Sequence, residues 1–255
     1  MLYWLPFLLV SEKMKHFLLT RFNDYYPGPY VDHFLGIEEK WLEARIAIFN
    51  QITVPSVEHQ TDKDFVWILK CHPQTPEWAR KELHSDLYIA SYEVFDLIPY
   101  VNKYYSNVFS KIIRRITDDK EILTTRLDND DAISKHHLSL VKSQAHFGKW
   151  FDFLRGIVKS GDDIYLHEKH HGVSMFCSYL ESGDEIKTSY WKYHSEISKD
   201  ECVKDYVNYG WVQHHHDDNM GQVLKDRKRY PHKAGPQDAK MLRENYPSLF
   251  RCQFL

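Results

Sequence analysis

Four short apolar runs, separated by stretches of helical periodicity, dominate the first half of this chain and leave few folds open to it. The runs are HFLLTR at residues 16–21, DFVWILKC at 64–71, LYIAS at 87–91 and EILTTRL at 121–127. Each has the length of a buried strand and is too short to carry the apolar face of a helix. Between them, residues 37–49 set Ile37, Trp41, Ala44 and Ile48 on one stripe. Residues 75–83 carry Pro76 near a first helical turn, and residues 101–116 bring Val108, Ile112 and Ile116 into register. A tight cluster of Tyr25, Tyr26, Pro27, Gly28 and Pro29 reads as a loop, and Pro55-Ser56 as an interruption. Strand and helix alternating in this way predict an α/β fold of Rossmann type, a mostly parallel sheet flanked by helices.

The second half changes character. Residues 149–159 and 164–167 read as strands punctuated by Gly156 and Gly161, residues 175–180 form another apolar run, and Ser134 is a candidate N-cap for a helix over 135–145. Residues 225–243 are polar and poorly periodic. With 255 residues and no linker, the expected organisation is a single domain over 15–222. A nucleotide-binding half (15–133) merges into an acceptor-binding half (134–222), followed by a tail (223–255) packed on or near the domain.

Composition narrows the function. The net charge is −3 and no dense Lys/Arg stripe is present, which argues against a nucleic-acid partner. Cys71, Cys177, Cys202 and Cys252 are scattered, without a C-x-x-C pair, so neither a zinc ribbon nor a disulfide framework is expected and a cytoplasmic setting fits. The opening MLYWLPFLLV is too short to span a bilayer and lacks the flanks of a signal peptide. Residues 1–14 read as an extension, with a peripheral membrane contact as the other reading.

The fourth strand runs straight into Asp128-Asn129-Asp130-Asp131. In open parallel sheets, ligands bind beyond the carboxyl ends of the strands. Three carboxylates so close repel one another, and oxygen ligands favour Mg²⁺ or Mn²⁺ as the compensating cation. Such an ion also bridges to the phosphates of a nucleotide. On this view, neutralising one carboxylate should leave the metal-free protein as stable or slightly more so. The competing reading is an acidic turn capping the next helix. Arg126, two residues upstream, could reach a phosphate, and Arg21 and Asn23 after the first strand, with Gln60, are candidate nucleotide contacts.

The segment TTRLDNDDAIS resembles the core motif of the putative rhamnosyltransferase family, which has the GT-A glycosyltransferase fold. HFLLTRFN, PSVEHQTDKDFVWIL and WVQHHHDDN agree with it in order and spacing, so the resemblance covers roughly residues 15–222. It implies a metal-dependent transferase that moves a sugar from a nucleotide-diphosphate donor to a carbohydrate or other hydroxyl acceptor. Its metal-binding aspartates map to Asp128, Asp130 and Asp131, with Asn129 beside the donor and His216 as a late ligand favouring Mn²⁺ over Ca²⁺. His72 departs from the family, standing where an acidic residue often contacts the base. Asp131 and Glu168 are candidate catalytic carboxylates, with Asp162, Asp163 and Glu181 as competitors for the acceptor side.

Two other functions are compatible with the chain. His167-Glu168-x-x-His171 matches the zinc-peptidase signature, which requires both histidines one turn apart on a helix. Here Ile164-Tyr165-Leu166 precede it as a strand and Gly172 follows at once. A non-catalytic carbohydrate-binding protein on the same fold is the second alternative. The decisive structural expectation is that the strands ending near residues 21, 71, 91 and 127 share one edge, with the acidic cluster on it.

Overall fold

The computed structural model of the chain describes residues 14–23, 35–83, 87–91, 101–169, 172–216 and 232–250. The extension, the turn-rich loop at 25–29, His170, His171 and residues 217–219 lie outside the described residues. The first half contains β1 (Lys15–Arg21), α1 (Glu39–Ile48), α2 (Val54–Glu58), β2 (Val66–Cys71), α3 (Glu77–Glu82), β3 (Tyr88–Ser91), α4 (Val101–Ile116) and β4 (Glu121–Arg126). The second half adds β5 (Ala132–Ile133), α5 (His137–Gln144), β6 (Trp150–Ser160), β7 (Asp163–Glu168), β8 (Ser178–Ser182), β9 (Cys202–His215), β10 (His232–Lys233) and α6 (Ala239–Asn245).

The central strands lie in the order β4-β1-β2-β3, all parallel, so their carboxyl ends share one edge. β1 and β2 are neighbours while the chain reaches β4 on the other side of β1, which makes the gap between β1 and β4 a topological switch point. Antiparallel pairing enters where β8 joins β4, and the sheet continues through β6, β7 and β10. β9 runs parallel to β6 and pairs antiparallel with the short β5.

Alternating side chains divide the core into two faces. Phe17, Leu19, Ile68 and Ile122 pack with Tyr105, Val108, Phe109 and Ile112 of α4. Leu18, Leu69 and Leu123 face the other way, against Leu42 and Ile46 of α1 and Leu138 and Val141 of α5. The result is a three-layer arrangement of helix, sheet and helix.

Three local expectations change in the folded chain. Pro55 does not break the helical path, because residues Phe49–Thr53 form a π-turn whose shift in register leaves Pro55 in the first turn of α2, where its missing N–H costs nothing. Ser134 is not the cap of α5. Its N–H donates to Gly210 O at 2.9 Å, which holds it at the sheet, and α5 starts at His137. The polar tail forms α6, with Leu242 and Tyr246 buried and the Tyr246 hydroxyl donating to Trp211 O at 3.1 Å. Its apolar partners are distant in sequence, so periodicity could not reveal them.

β9 is locked onto β6 by interlocking glycines and rings. The Trp211 ring lies over Gly156, where an added Cβ would come within 2.0 Å of it, and Phe153 fills the place of a Cβ on Gly210, at 2.1 Å. Trp211 also stacks on Phe176 at 5.4 Å and donates its Nε1–H to Phe153 O at 3.0 Å. Gly156→Ala should therefore cost about 1–3 kcal/mol by overpacking. The check is the urea midpoint, and an unmoved midpoint would show that the ring has room to shift.

Two buried imidazoles set an acid limit. His16 on β1 shares a 2.8 Å hydrogen bond with Thr125 Oγ1 on β4, and burial lowers its pKa to about 3. His137 is lowered to about 4 by burial, against the opposing pull of Gly210 O. Both bind a proton in the unfolded chain near pH 6.5. Below that pH the unfolded state holds more protons, so stability present above pH 6.5 falls on acidification towards pH 4. Each imidazole contributes about 1.4 kcal/mol per pH unit to that slope. His16→Gln should remove about one proton's worth of slope in denaturation series between pH 7 and pH 4.5.

Candidate active site

The acidic loop leaves β4 at the switch point. Sheet pairing carries one residue past the strand, with Leu127 N donating to Leu19 O at 3.1 Å, and Asp131 N then closes a turn onto Asp128 O at 3.4 Å. Every residue of the turn has a partner, and Arg45 serves two of them. Asp128 accepts from Arg21 Nη2 at 3.1 Å. Asn129 donates to Phe22 O and accepts from Arg45 Nη1 at 3.1 Å. Asp130 Oδ2 accepts from Arg45 Nη1 at 2.7 Å and meets His216 Nε2 at 3.0 Å. Asp131 Oδ1 accepts the His214 backbone N–H at 2.8 Å.

Arg45 is the participant that sequence reasoning missed. It is buried on α1 beside the apolar stripe, and its guanidinium lies 5.0 Å from the Trp41 ring, one helical turn away. The i,i+4 spacing of Trp41 and Arg45 was visible in the sequence, but nothing local shows that this helix end meets the acidic loop.

These partners push two adjacent carboxyls in opposite directions. Burial opposes ionisation of Asp130, but the His216 bond and the Arg45 charge outweigh it and hold the carboxyl below its usual range. Burial, reinforced by the charges of Asp130 and Asp128, drives Asp131 well above the usual range despite the His214 amide. β9 brings in the histidines by strand alternation. The His214 and His216 rings are 5.5 Å apart, while His215 between them is buried. Burial, with Lys159 and His216 nearby, lowers His214 to about 4.

The other residues singled out in the sequence are spread around this centre. Arg21 and Arg126 end β1 and β4 and lie beside the acidic loop. Asn23 is buried and ties the edge together, donating to Gly36 O at 2.7 Å and accepting from His72 N at 3.1 Å. Gln60 is also buried, donating to Ser134 O at 2.7 Å and accepting from Leu138 N at 3.0 Å. Glu168 pairs with Arg155 at 2.8 Å on neighbouring strands. Glu181 accepts from the backbone of Lys187 and Thr188, and Asp163 pairs with Lys233 at 2.5 Å. His167 and Glu168 lie on β7, in extended chain, so the helix that zinc-peptidase geometry demands is absent at the motif's first two residues.

The donor set for a divalent cation can be judged from this geometry. Among the described residues, no three His, Cys, Asp or Glu side chains are grouped to hold an ion. A preformed cage is not what the substrate role requires, since Mg²⁺-type ions are commonly held by one or two protein ligands together with substrate phosphates. Asp130 Oδ2 and His216 Nε2 form such a pair, with Asp128 in the same turn. Asp131 is turned onto the β9 backbone. The pair therefore fits an ion that arrives with a phosphate ligand.

A family model described as "Putative rhamnosyl transferase" matches residues 32–227, most of the chain and all of the acidic loop with His216. Its match begins after β1, later than the resemblance read from HFLLTRFN. Comparison with curated proteins finds no match. Solved structures similar to the chain include S. aureus TarS, at 11% identity and a TM-score of 0.39, covering 79% of this chain and 36% of that one. The chain thus spans about a third of the length of TarS. By its match over most of its length, this chain belongs to the family described as "Putative rhamnosyl transferase".

Proposed function

We propose that this protein moves a sugar, rhamnose by the family's description, from a nucleotide-diphosphate donor to a hydroxyl acceptor, with Mn²⁺ or Mg²⁺ held at Asp130 and His216. The observation that carries the reading is the meeting of Asp130 Oδ2 and His216 Nε2, 86 residues apart in sequence, on the edge where a parallel sheet binds ligands. A cation there would supply the positive charge that stabilises a departing diphosphate.

The chain's own groups prepare that point. Arg45 and His216 keep Asp130 ionised, and Arg45 orients it from a helix whose packing fixes the guanidinium. Asp128 is held in place by Arg21. Asp131 and Glu168 are the candidate acceptor bases. Asp131 is favoured by its place in the same loop, where burial and the neighbouring Asp130 and Asp128 charges push its carboxyl up. Among the described residues no helix is long and apolar enough to cross a membrane.

The direct test is a panel of nucleotide-diphosphate sugars scored for nucleoside-diphosphate release with and without Mn²⁺. Asp130→Asn should lower turnover by roughly two to four orders of magnitude, about 3–5 kcal/mol of transition-state stabilisation. The same substitution should also destabilise the metal-free protein by about 1.5–3 kcal/mol, because Arg45 loses a charged partner in a buried setting. This reverses the sign expected from the sequence, where only the repulsion among carboxylates is visible. Adding Arg45→Met should recover stability without recovering turnover. Near-normal metal-dependent release by Asp130→Asn would remove the loop from the chemistry. His216→Ala should be milder, on the order of tenfold, or ~1.4 kcal/mol, since water can replace one imidazole. A metal titration read by product release would detect it as a rightward shift.

A further inference from the structure

Beside the acidic loop lies a cation that forms no ion pair among the described residues. Arg126, the last residue of β4, is only 5% exposed, and its Nε and Nη1 are buried without a hydrogen-bond partner. Its guanidinium lies 4.4 Å from the centre of the Tyr190 ring. Arg21, the last residue of the adjacent β1, approaches the same ring at 5.4 Å and the Tyr105 ring at 4.9 Å. Its Nη2 is engaged by Asp128, but its Nε is buried without a partner. The Tyr190 hydroxyl proton has no acceptor either.

The two guanidiniums can only donate, while the Tyr190 hydroxyl both donates and accepts. Asp128 already faces Arg21, which leaves Arg126 with an aromatic face as its compensation. A ring face attracts a cation but accepts none of its directed N–H bonds. Buried charge is normally both paired and hydrogen-bonded, because desolvation otherwise outweighs what remains. The local field agrees, since burial and then the Arg126 charge depress the pKa of His194 nearby.

The platform under the two cations is held firmly. Thr188 adopts φ 61°, a left-handed conformation unusual for a β-branched residue. Glu181 fixes that turn by accepting from Lys187 N at 2.7 Å and Thr188 N at 2.8 Å, and Thr124 Oγ1 accepts from Ser189 N at 2.7 Å. Phe109 stacks on the Tyr190 ring at 5.1 Å. Strain of this kind persists where surrounding bonds over-determine the backbone, and it gathers at binding sites.

We propose that Arg126 and Arg21, on the Tyr190 platform, form a subsite for an oxyanion of a substrate, a phosphate or carboxylate that takes the unmatched N–H donors. The forked donors of arginine suit the paired oxygens of either group. Two sources share this chemistry: the donor's diphosphate, or an acidic group on the acceptor. β4 lies next to the metal-binding turn, which serves the first, while Tyr190 comes from the acceptor-side half of the chain, which serves the second. Binding of the anion alone needs neither metal nor turnover, so the inference stands apart from the proposed reaction.

The test is calorimetric titration of the full chain with pyrophosphate, a nucleoside diphosphate and glucose 6-phosphate, all in EDTA. Wild type should bind at least one of the phosphate probes, and Arg126→Met should weaken that binding by roughly 10- to 100-fold, with Arg126→Lys between them. Parallel loss of pyrophosphate and nucleoside diphosphate identifies the donor as the source. Loss confined to glucose 6-phosphate identifies an acidic acceptor. Thermal unfolding separates a binding role from a packing role. Removing an unmatched charge should leave the melting temperature of the ligand-free protein unchanged or higher, while abolishing the increment that the bound probe produces. Wild-type protein that binds none of the probes, or Arg126→Met that binds them as wild type does, overturns the proposal.

Discussion

Parallel pairing of β1 with β4 is the constraint on which the rest of the molecule depends. It sets Lys15–Arg21 beside Glu121–Arg126 in register, so both strands deliver their last residues to one edge. Arg126 pairs with Leu19, so Arg21 stands two residues beyond it on the same face, and Asp128 emerges where Arg21 can reach it. β2 and β3 extend the sheet beyond β1 and β8 beyond β4, so the switch point between β1 and β4 lies in the middle of the sheet. A register slip of one residue would turn Arg126 to the α1 face and a core leucine into the cleft.

At that edge, charge is distributed rather than cancelled in one place. Asp128, Asp130 and Asp131 would repel strongly if they faced one another. The fold gives each a separate answer: Arg21 for the first, Arg45 with His216 for the second, and the His214 backbone amide for the third, whose carboxyl burial pushes up. Three elements far apart in the chain therefore converge on four residues. α1 supplies a cation, β1 another, and the end of β9 an imidazole.

The position of β9 is correspondingly important. It is seated by Trp211 over Gly156 and Phe153 against Gly210, while Leu242 of α6 packs with Val212 and the Tyr246 hydroxyl just past that helix donates to Trp211 O. Small residues opposite large rings bring β6 and β9 into close contact, and the strand's last turn of alternation then decides that His214 and His216 share a face. Packing some distance from the cluster thus positions the imidazole that meets Asp130.

Several features were legible in the chain alone. The lengths of the four apolar runs and the helical stripes between them determine an α/β sheet with parallel strands, because a short buried run and a one-sided helix each have only one way to hide apolar surface. Strand polarity then puts Asp128–Asp131 on the ligand edge, and local alternation limits which histidines can act together. The motif resemblance named the family over most of the matched region. Tertiary structure alone decided the pairing of charges. That Arg45 rather than mutual repulsion governs Asp130, that Asp131 turns to the β9 backbone, and that Arg126 is buried with donors unmatched all follow from contacts between residues many positions apart. Periodicity reports which way a side chain faces within its own element. It carries no information on which other element that face meets, and the energy of a buried charge is set almost wholly by what it meets.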